Sequence, residues 1–562
     1  MHYYYKSLLL AALLSAGIAG APAVIAQDTT NVPTGVPSSP SVPGSSRIGD
    51  FVSVQPNGQT PVIVLPETHT FQLIAKSGTT QYTTGATGAI PGNNDFTAYI
   101  ARNGSGRKGY LSINHENTPG GVSLLDLDLN ESTMLWEVGA VRKVDFSPLV
   151  RTVRNCSGGI TPWGTVITSE ENTSLGDVNG DGYQDSGWQV EIDPVTGLIR
   201  DYNGDGKPDK LWAMGRMSHE NIAVSADSVT TYQAEDGGSN CVYKFVANQK
   251  GNLSEGTLYV LKRDALNPTA GTWVKVPNAT PAERNTTNSL AASVGGTNWS
   301  GPEDVEFGPD GRMYFTSKGT GTIWRFKDDG LTVSGIEAWV TNKPYEVTYN
   351  GGKQLESWGT GIDNLTFDGD GNLWALQDGG RNNLWVISPD HTPENPKLRL
   401  FMRTPFGSES TGLTFSPDYR YGFVSIQHPR NTNAATLTDA AGVPVKFDRD
   451  VTFVFARKEY LGKANSANAP AVAHRVEAFP NPFTTGTQLK VTMPEQAEAL
   501  LEVRTVLGEL VTTLVNGPLA IGEHTFDFQP ANHSVRSVNG VYHVRLVVNG
   551  QLSKKTVIQL KQ

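Results

Sequence analysis

The sequence predicts an all-β protein, a six-bladed β-propeller followed by a small C-terminal β-sandwich of Ig-like type. Three observations carry that expectation. Strand-turn-strand units with alternating apolar residues recur along the middle of the chain, spaced about 40–60 residues apart. The composition, with 60 glycines, 11 tryptophans and 18% charged residues, suits turn-rich β structure. After the stretch KANSANAPAVAH, the remaining residues alternate apolar and polar positions between turn signals, as in EAFPNPF, LLEVRTVLGELVTTL and NGVYHVRLVVNGQLSKKTVIQL.

From the start of the chain, residues 1–26 have a basic opening (His2, Lys6), the apolar run LLLAALLSAGIAGA, and V-I-A before Gln27. This pattern reads as a secretory signal peptide cleaved after Ala26. The run is too short and too broken by Gly and Pro for an anchor, and no other stretch is apolar enough, so no transmembrane anchor is expected. Residues 27–50 read as a Ser/Thr/Pro-rich linker, 51–457 as the propeller, 458–474 as a second linker and 475–562 as the sandwich. A net charge of −10 argues against a nucleic-acid partner and suits cation binding or an extracellular life.

The units align when measured from their turns. Seven residues before and eight after Trp163 lie Cys156 and Glu171. The same ruler gives Glu303 and Lys318 around Asp310, Asp363 and Asp378 around Asp370, and Glu220 and Glu235 around Asp227. Around Asp418 it gives Thr411 and Ile426, and around Lys108, Ala101 and Glu116. In a propeller, equivalent positions of successive blades face one axis. Cys156, Glu220, Glu303 and Asp363 then form one ring, and Glu171, Glu235 and Asp378 another. Carboxylates crowded in one channel repel unless a cation sits among them, so the pattern reads as a metal site. For any one of these residues, a solvated turn or a backbone cap is the bland alternative.

Two near-copies of one loop follow, DVNGDGYQD (177–185) and DYNGDGKPD (201–209), and residues 177–209 read as an insertion in the propeller. Asp177, Asn179, Asp181 and Asp185, and likewise Asp201, Asn203, Asp205 and Asp209, place oxygen side chains at positions 1, 3, 5 and 9 with Gly at 6, which suits calcium. Position 12 is Trp188 or Trp212, so these are not EF-hands. The two cysteines, Cys156 and Cys241, admit either a disulfide or a free thiolate in an exported protein.

NCSGGITPWGTVITSEEN, GRMSHE, VYKFV, the PED of 302–304, IDNLTFDGDGNLWALQDG and TGLTFSPD…IQHP, with LSINHE at 111–116, resemble the PhoX-type alkaline phosphatases in identity and order over about residues 60–457. The resemblance implies a β-propeller with a buried iron–calcium cofactor that hydrolyses phosphate-ester substrates. It implies Cys156 as the thiolate ligand of iron (Fe3+), Glu220, Glu303 and Asp363 as carboxylate ligands of the cluster, and Glu171 as a ligand of calcium (Ca2+). Cys241 then becomes a buried structural thiol.

One departure bears on the substrate. The family commonly carries Arg before the Pro-Glu that matches 302–303; here the residue is Gly301, which leaves Lys318, Arg216, Arg381 or His428 as candidate phosphate clamps. The C-terminal segment resembles the sorting domains of type IX secretion substrates, which implies export by the general secretory route and then across the outer membrane to the surface or medium. A calcium-dependent propeller hydrolase such as a lactonase, or a non-catalytic calcium-binding surface protein, are the alternatives. No G-x-S-x-G elbow or P-loop is present.

Overall fold

The computed structural model describes residues 47–462 except 380, and 475–560 except 494–495, 506–508, 521, 536–539 and 549–550. The expected signal peptide, most of the first linker and most of the second lie outside the described residues. The fold is nearly all β and propeller-like. Antiparallel meanders, each opening on a strand at the axis, succeed one another along the chain. The opening strands are Asn94–Ala101, Asn155–Ile160, His219–Val224, Val305–Phe307, Ile362–Phe367 and Glu409–Phe415. Each contacts the next, and the last contacts the first, so they close a ring.

Strand pairing also closes the ring. His69–Lys76, from the start of the described chain, pairs with Val451–Arg457 from the end of the last meander. Ile48 is already buried in the adjoining core, so the folded unit begins inside the segment expected as linker. Apolar clusters fill the spaces between successive meanders; Trp374 and Trp385, both fully buried, belong to two of them. Two short helices, Pro281–Asn285 and Thr287–Ser293, are the α-helices among the described residues, and Thr280 with Glu283 closes a capping box on the first. No helix among the described residues is long and apolar enough to cross a membrane.

The pair of Asp-rich loops is not a simple insertion. Between them runs Gln189–Ile192, which pairs with Val166–Glu170 as the third strand of its meander. The loops therefore flank a blade strand. Residues 475–560 form two antiparallel sheets whose apolar faces share one core around Leu489, Leu501, Val544 and Phe528.

At two positions of Asn155–Ile160 the neighbouring backbone comes too close for any side chain. A Cβ on Gly159 would sit 2.0 Å from the Ile222 carbonyl oxygen, and one on Gly158 2.1 Å from that of Ile167. Gly159→Ala is expected to cost about 2–3 kcal/mol through overpacking, read as a lower urea midpoint at unchanged slope; a wild-type midpoint would refute this close approach.

Candidate metal centre

The site is built by a bulge repeated in the opening strands. Asn94 pairs with His115 but Thr97 with Ile113; Asn155 with Glu170 but Gly158 with Thr168; His219 with Glu235 but Ile222 with Gln233; Ile362 with Gln377 but Leu365 with Ala375. These four opening strands thus each carry one extra residue at the same level. A bulge re-aims side chains out of the regular alternation. The residue entering it is Asp95, Cys156, Glu220 or Asp363, and Glu303 lies just before its own opening strand.

A second tier comes from the residue just past the partner strand. Those strands end at His115, Glu170, Glu235, Ser317 and Gln377, and Glu116, Glu171, Asp236, Lys318 and Asp378 follow. Ligand-capable atoms lie within 4.8 Å of one another in four groups: Asp95, Glu116 and Cys156; Cys156, Glu171 and Glu220; Glu220, Asp236 and Glu303; Asp363, Asp378 and Glu409. The first three share members and form a continuous arc. Lys318 joins the arc to the fourth, with Nζ 2.9 Å from Glu303, 3.0 Å from Asp378 and 3.5 Å from Asp363. Arg154 bridges Glu116 and Glu171, 2.6 Å from the latter.

Nine carboxylates and a thiol thus face two cations. Burial, then the neighbouring acids, push Asp95, Glu220 and Glu303 well above the usual carboxylate range. Burial lifts Glu171 to about 7 against the pull of Arg154, and Asp363 to about 6 against that of Lys318. Lys318 is raised too, with the opposite effect on charge: burial lowers it, but Asp363, Glu303 and Asp378 outweigh burial and hold the ammonium charged. The Cys156 thiol is pushed up by burial and by Asp95 and Glu220, to which it donates at 3.3 and 3.2 Å. Protons can hold such a site together only at low pH; a multivalent cation does so above it. The donor set fits that reading: carboxylates suit hard cations, and a buried thiol among them suits a transition metal.

Several expectations change in the structure. Cys156 and Cys241 are both free and buried, which excludes the disulfide. Glu235 does not join the second tier; it accepts from the Ser239 and Tyr243 side chains, and Asp236 takes its place. The cause is a hairpin one residue longer: Val224 pairs with Thr231, seven residues on, whereas Phe307 pairs with Met313, six on. Lys108-Gly109 is not a turn but the start of a strand, so Ala101 was measured from the wrong centre and Asp95 was missed. The turn there spans 102–107, and the likeness of NDFTAYI to NCSGGI and IDNLTF was the available signal. Thr411 accompanies Glu409, which joins the centre instead; beyond Ile426, Gln427 donates to Glu116 at 2.9 Å.

The candidate clamps separate. Lys318 is in the ring. Arg216 donates to the carbonyls of Ser186, Thr173 and Leu175, Arg381 pairs with Glu356, and His428 is exposed with its N–H on Asp450. Gly301 has φ +72°, and a Cβ there would lie 2.9 Å from Asp236, so no side chain fits without strain. The Asp-rich loops are two copies of one conformation. Asp177 accepts from the N–H groups of Gly180 and Gly182, and Asp201 from those of Gly204 and Gly206. Asn179 and Asn203 accept from Asp181 and Asp205, which accept from Tyr183 and Lys207. Asp185 is buried with one carboxylate oxygen unpartnered, while Asp209 accepts from Tyr202 N–H. These loops are tied toward the centre: Lys210 Nζ contacts Glu170 at 2.7 and 2.9 Å and the Asp185 carbonyl at 2.7 Å, and Glu170 immediately precedes Glu171.

The sequence matches a family model described as Alkaline phosphatase PhoX over residues 138–430, more than half of the chain. Among solved structures it is similar to Pseudomonas fluorescens PhoX in complex with vanadate, a transition state analogue, at 22% identity and a TM-score of 0.57, covering 73% of this chain and 98% of that one. That likeness is one of fold. Matches at lower TM-score include a gluconolactonase from Xanthomonas campestris (11% identity, 0.28, 67% and 99%) and virginiamycin B lyase from Staphylococcus aureus (12%, 0.32, 69% and 99%). No curated protein matches the sequence significantly.

The raised carboxylates set a sign for metal removal. Groups that bind protons more tightly folded than unfolded stabilise at low pH, and that stability is lost as pH rises from the unfolded to the folded value. Metal-stripped protein is expected to lose thermal stability between about pH 4 and 7, the span from the ordinary carboxylates to Glu171, and added cation to cancel the loss. A flat profile in stripped protein would contradict this account.

Proposed function

The chain belongs to the PhoX family of alkaline phosphatases, and we propose that its axial ring holds a mixed iron–calcium cluster used to hydrolyse phosphomonoesters outside the cytoplasm. The observation that carries this reading is the convergence of Cys156 with buried carboxylates from neighbouring meanders. Cys156, Glu220, Glu303 and Asp363 would hold the cluster with Glu171, joined by Asp95, Glu116, Asp236, Asp378 and Glu409. When bound, such a cluster neutralises phosphoryl oxygens and supplies an attacking oxygen at moderate pH.

The protein's own groups prepare that chemistry. Asn114 donates to the carbonyls of Cys156 and Ser157 at 2.9 and 2.8 Å, which fixes the bulge that aims the thiol. Glu303 and Asp363 hold the Lys318 ammonium at the rim, where it can offset charge on the substrate or the leaving group. Arg216 and His428 take no part in this reading. The loops at 177–185 and 201–209 would bind calcium and stiffen the blade strand between them, through Asp177, Asn179, Asp181 and Asp185 and through Asp201, Asn203, Asp205 and Asp209. Residues 475–562 would serve as an address for type IX secretion, after export directed by residues 1–26.

The test is p-nitrophenyl phosphate hydrolysis by the chain from Gln27 onward, with elemental analysis of the same sample. Turnover with bound iron and calcium is expected. Cys156→Ser should remove iron and lower turnover about 100-fold or more, with an unchanged β spectrum. Calcium without iron would overturn the cluster; metals without turnover of any phosphate ester would favour a lactone or another ester. Chelation should also expose residues 177–209 to protease while leaving 475–560 intact, and equal cleavage with and without calcium would remove the loop assignment.

A further inference from the structure

The mouth of the ring must admit a dianion past a concentration of negative charge, so the cations there decide whether a phosphate ester can enter. Two are present among the described residues. Lys318 has three N–H donors facing three carboxylates, Glu303, Asp378 and Asp363. Arg154 is different. Its Nε and Nη2 engage Glu171 and Glu116, its Nη1 makes no hydrogen bond among the described residues, and its side chain is 41% exposed.

The backbone holds Arg154 in place at a cost. Its φ of +48° lies in the left-handed region, unusual for a residue with a long side chain. Two hydrogen bonds enforce it: the Arg154 N–H donates to the Asn117 carbonyl at 2.8 Å, and its carbonyl accepts from Glu171 N–H at 2.9 Å. The first ties it to the segment after Glu116, the second to the residue that its own guanidinium contacts. Arg154 thus spans the first and second meanders, while Lys318 spans the fourth and fifth. In a closed ring of six opening strands these are opposite sides of the mouth.

We propose that Arg154 is the phosphate clamp of this chain, presenting Nη1 to the phosphoryl oxygens of the substrate across the axis from Lys318. This rests on the phosphatase reading above. A guanidinium suits the role because it stays charged and can donate to a phosphoryl oxygen while its other nitrogens keep their carboxylates. The strained turn, the two enforcing bonds and the open donor coincide at one residue two positions before Cys156, so the element that aims the thiol also aims the clamp.

The test compares wild type with Arg154→Gln and Arg154→Lys, using p-nitrophenyl phosphate turnover, competitive inhibition by inorganic phosphate, and metal content of each sample. In the Gln variant, KM and the phosphate inhibition constant should rise about 10- to 100-fold at unchanged metal content, and Lys should recover part of that loss. Wild-type phosphate inhibition in the Gln variant would overturn the proposal, as would loss of metal with phosphate affinity per loaded site unchanged. If wild type hydrolyses no phosphate ester, the phosphatase reading fails; calorimetric titration with inorganic phosphate then still decides Arg154, since equal affinity in wild type and Gln variant refutes the clamp.

Discussion

Electrostatic repulsion at the axis is the constraint on which this molecule turns. Several meanders deliver an acidic or thiol group to one small volume, and burial removes the water that would otherwise screen them. Hydrophobic packing between meanders supplies the energy that brings those charges together. The ring is therefore a place where folding energy is stored as poised charge, to be relieved by a cation. Lys318 and Arg154 relieve part of it from opposite sides and leave the remainder for bound metal.

The bulges explain how flat strands achieve this. In a regular strand only alternate side chains face one side. An extra residue in four opening strands turns Asp95, Cys156, Glu220 and Asp363 inward at one level. Neighbouring glycines keep that level tight: Gly158 and Gly159 have no room for a methyl group. The buried pair Glu170–Lys210 extends the arrangement outward, tying the end of the strand that precedes Glu171 to the first Asp-rich loop. Removing one partner of such a pair leaves an uncompensated buried charge, which makes it a rigid joint.

Hairpin length decides which residue past each turn reaches the axis. A ruler laid from the turns assumes equal loop lengths. That condition is met for Cys156, Glu303 and Asp363, whose hairpins share a six-residue pairing step. The ruler slipped at Asp236, where one added loop residue turns Glu235 back into its own blade, and it failed at Asp95, where the turn is longer still. Arg154 escaped notice because it lies outside any repeated position; only its left-handed backbone and its two carboxylate partners single it out.

The all-β character, the repeated hairpins, the family and the main acidic positions are legible from the sequence, because alternation and turn chemistry are local properties and the motifs keep their spacing. Ring membership is not local. Which acids converge depends on pairing register, on bulges and on closure of the first strand against the last, and these are settled when meanders separated by hundreds of residues pack together. Whether Cys156 meets Cys241 or a set of carboxylates was likewise a question of distance across the fold, and it was the tertiary structure that decided it.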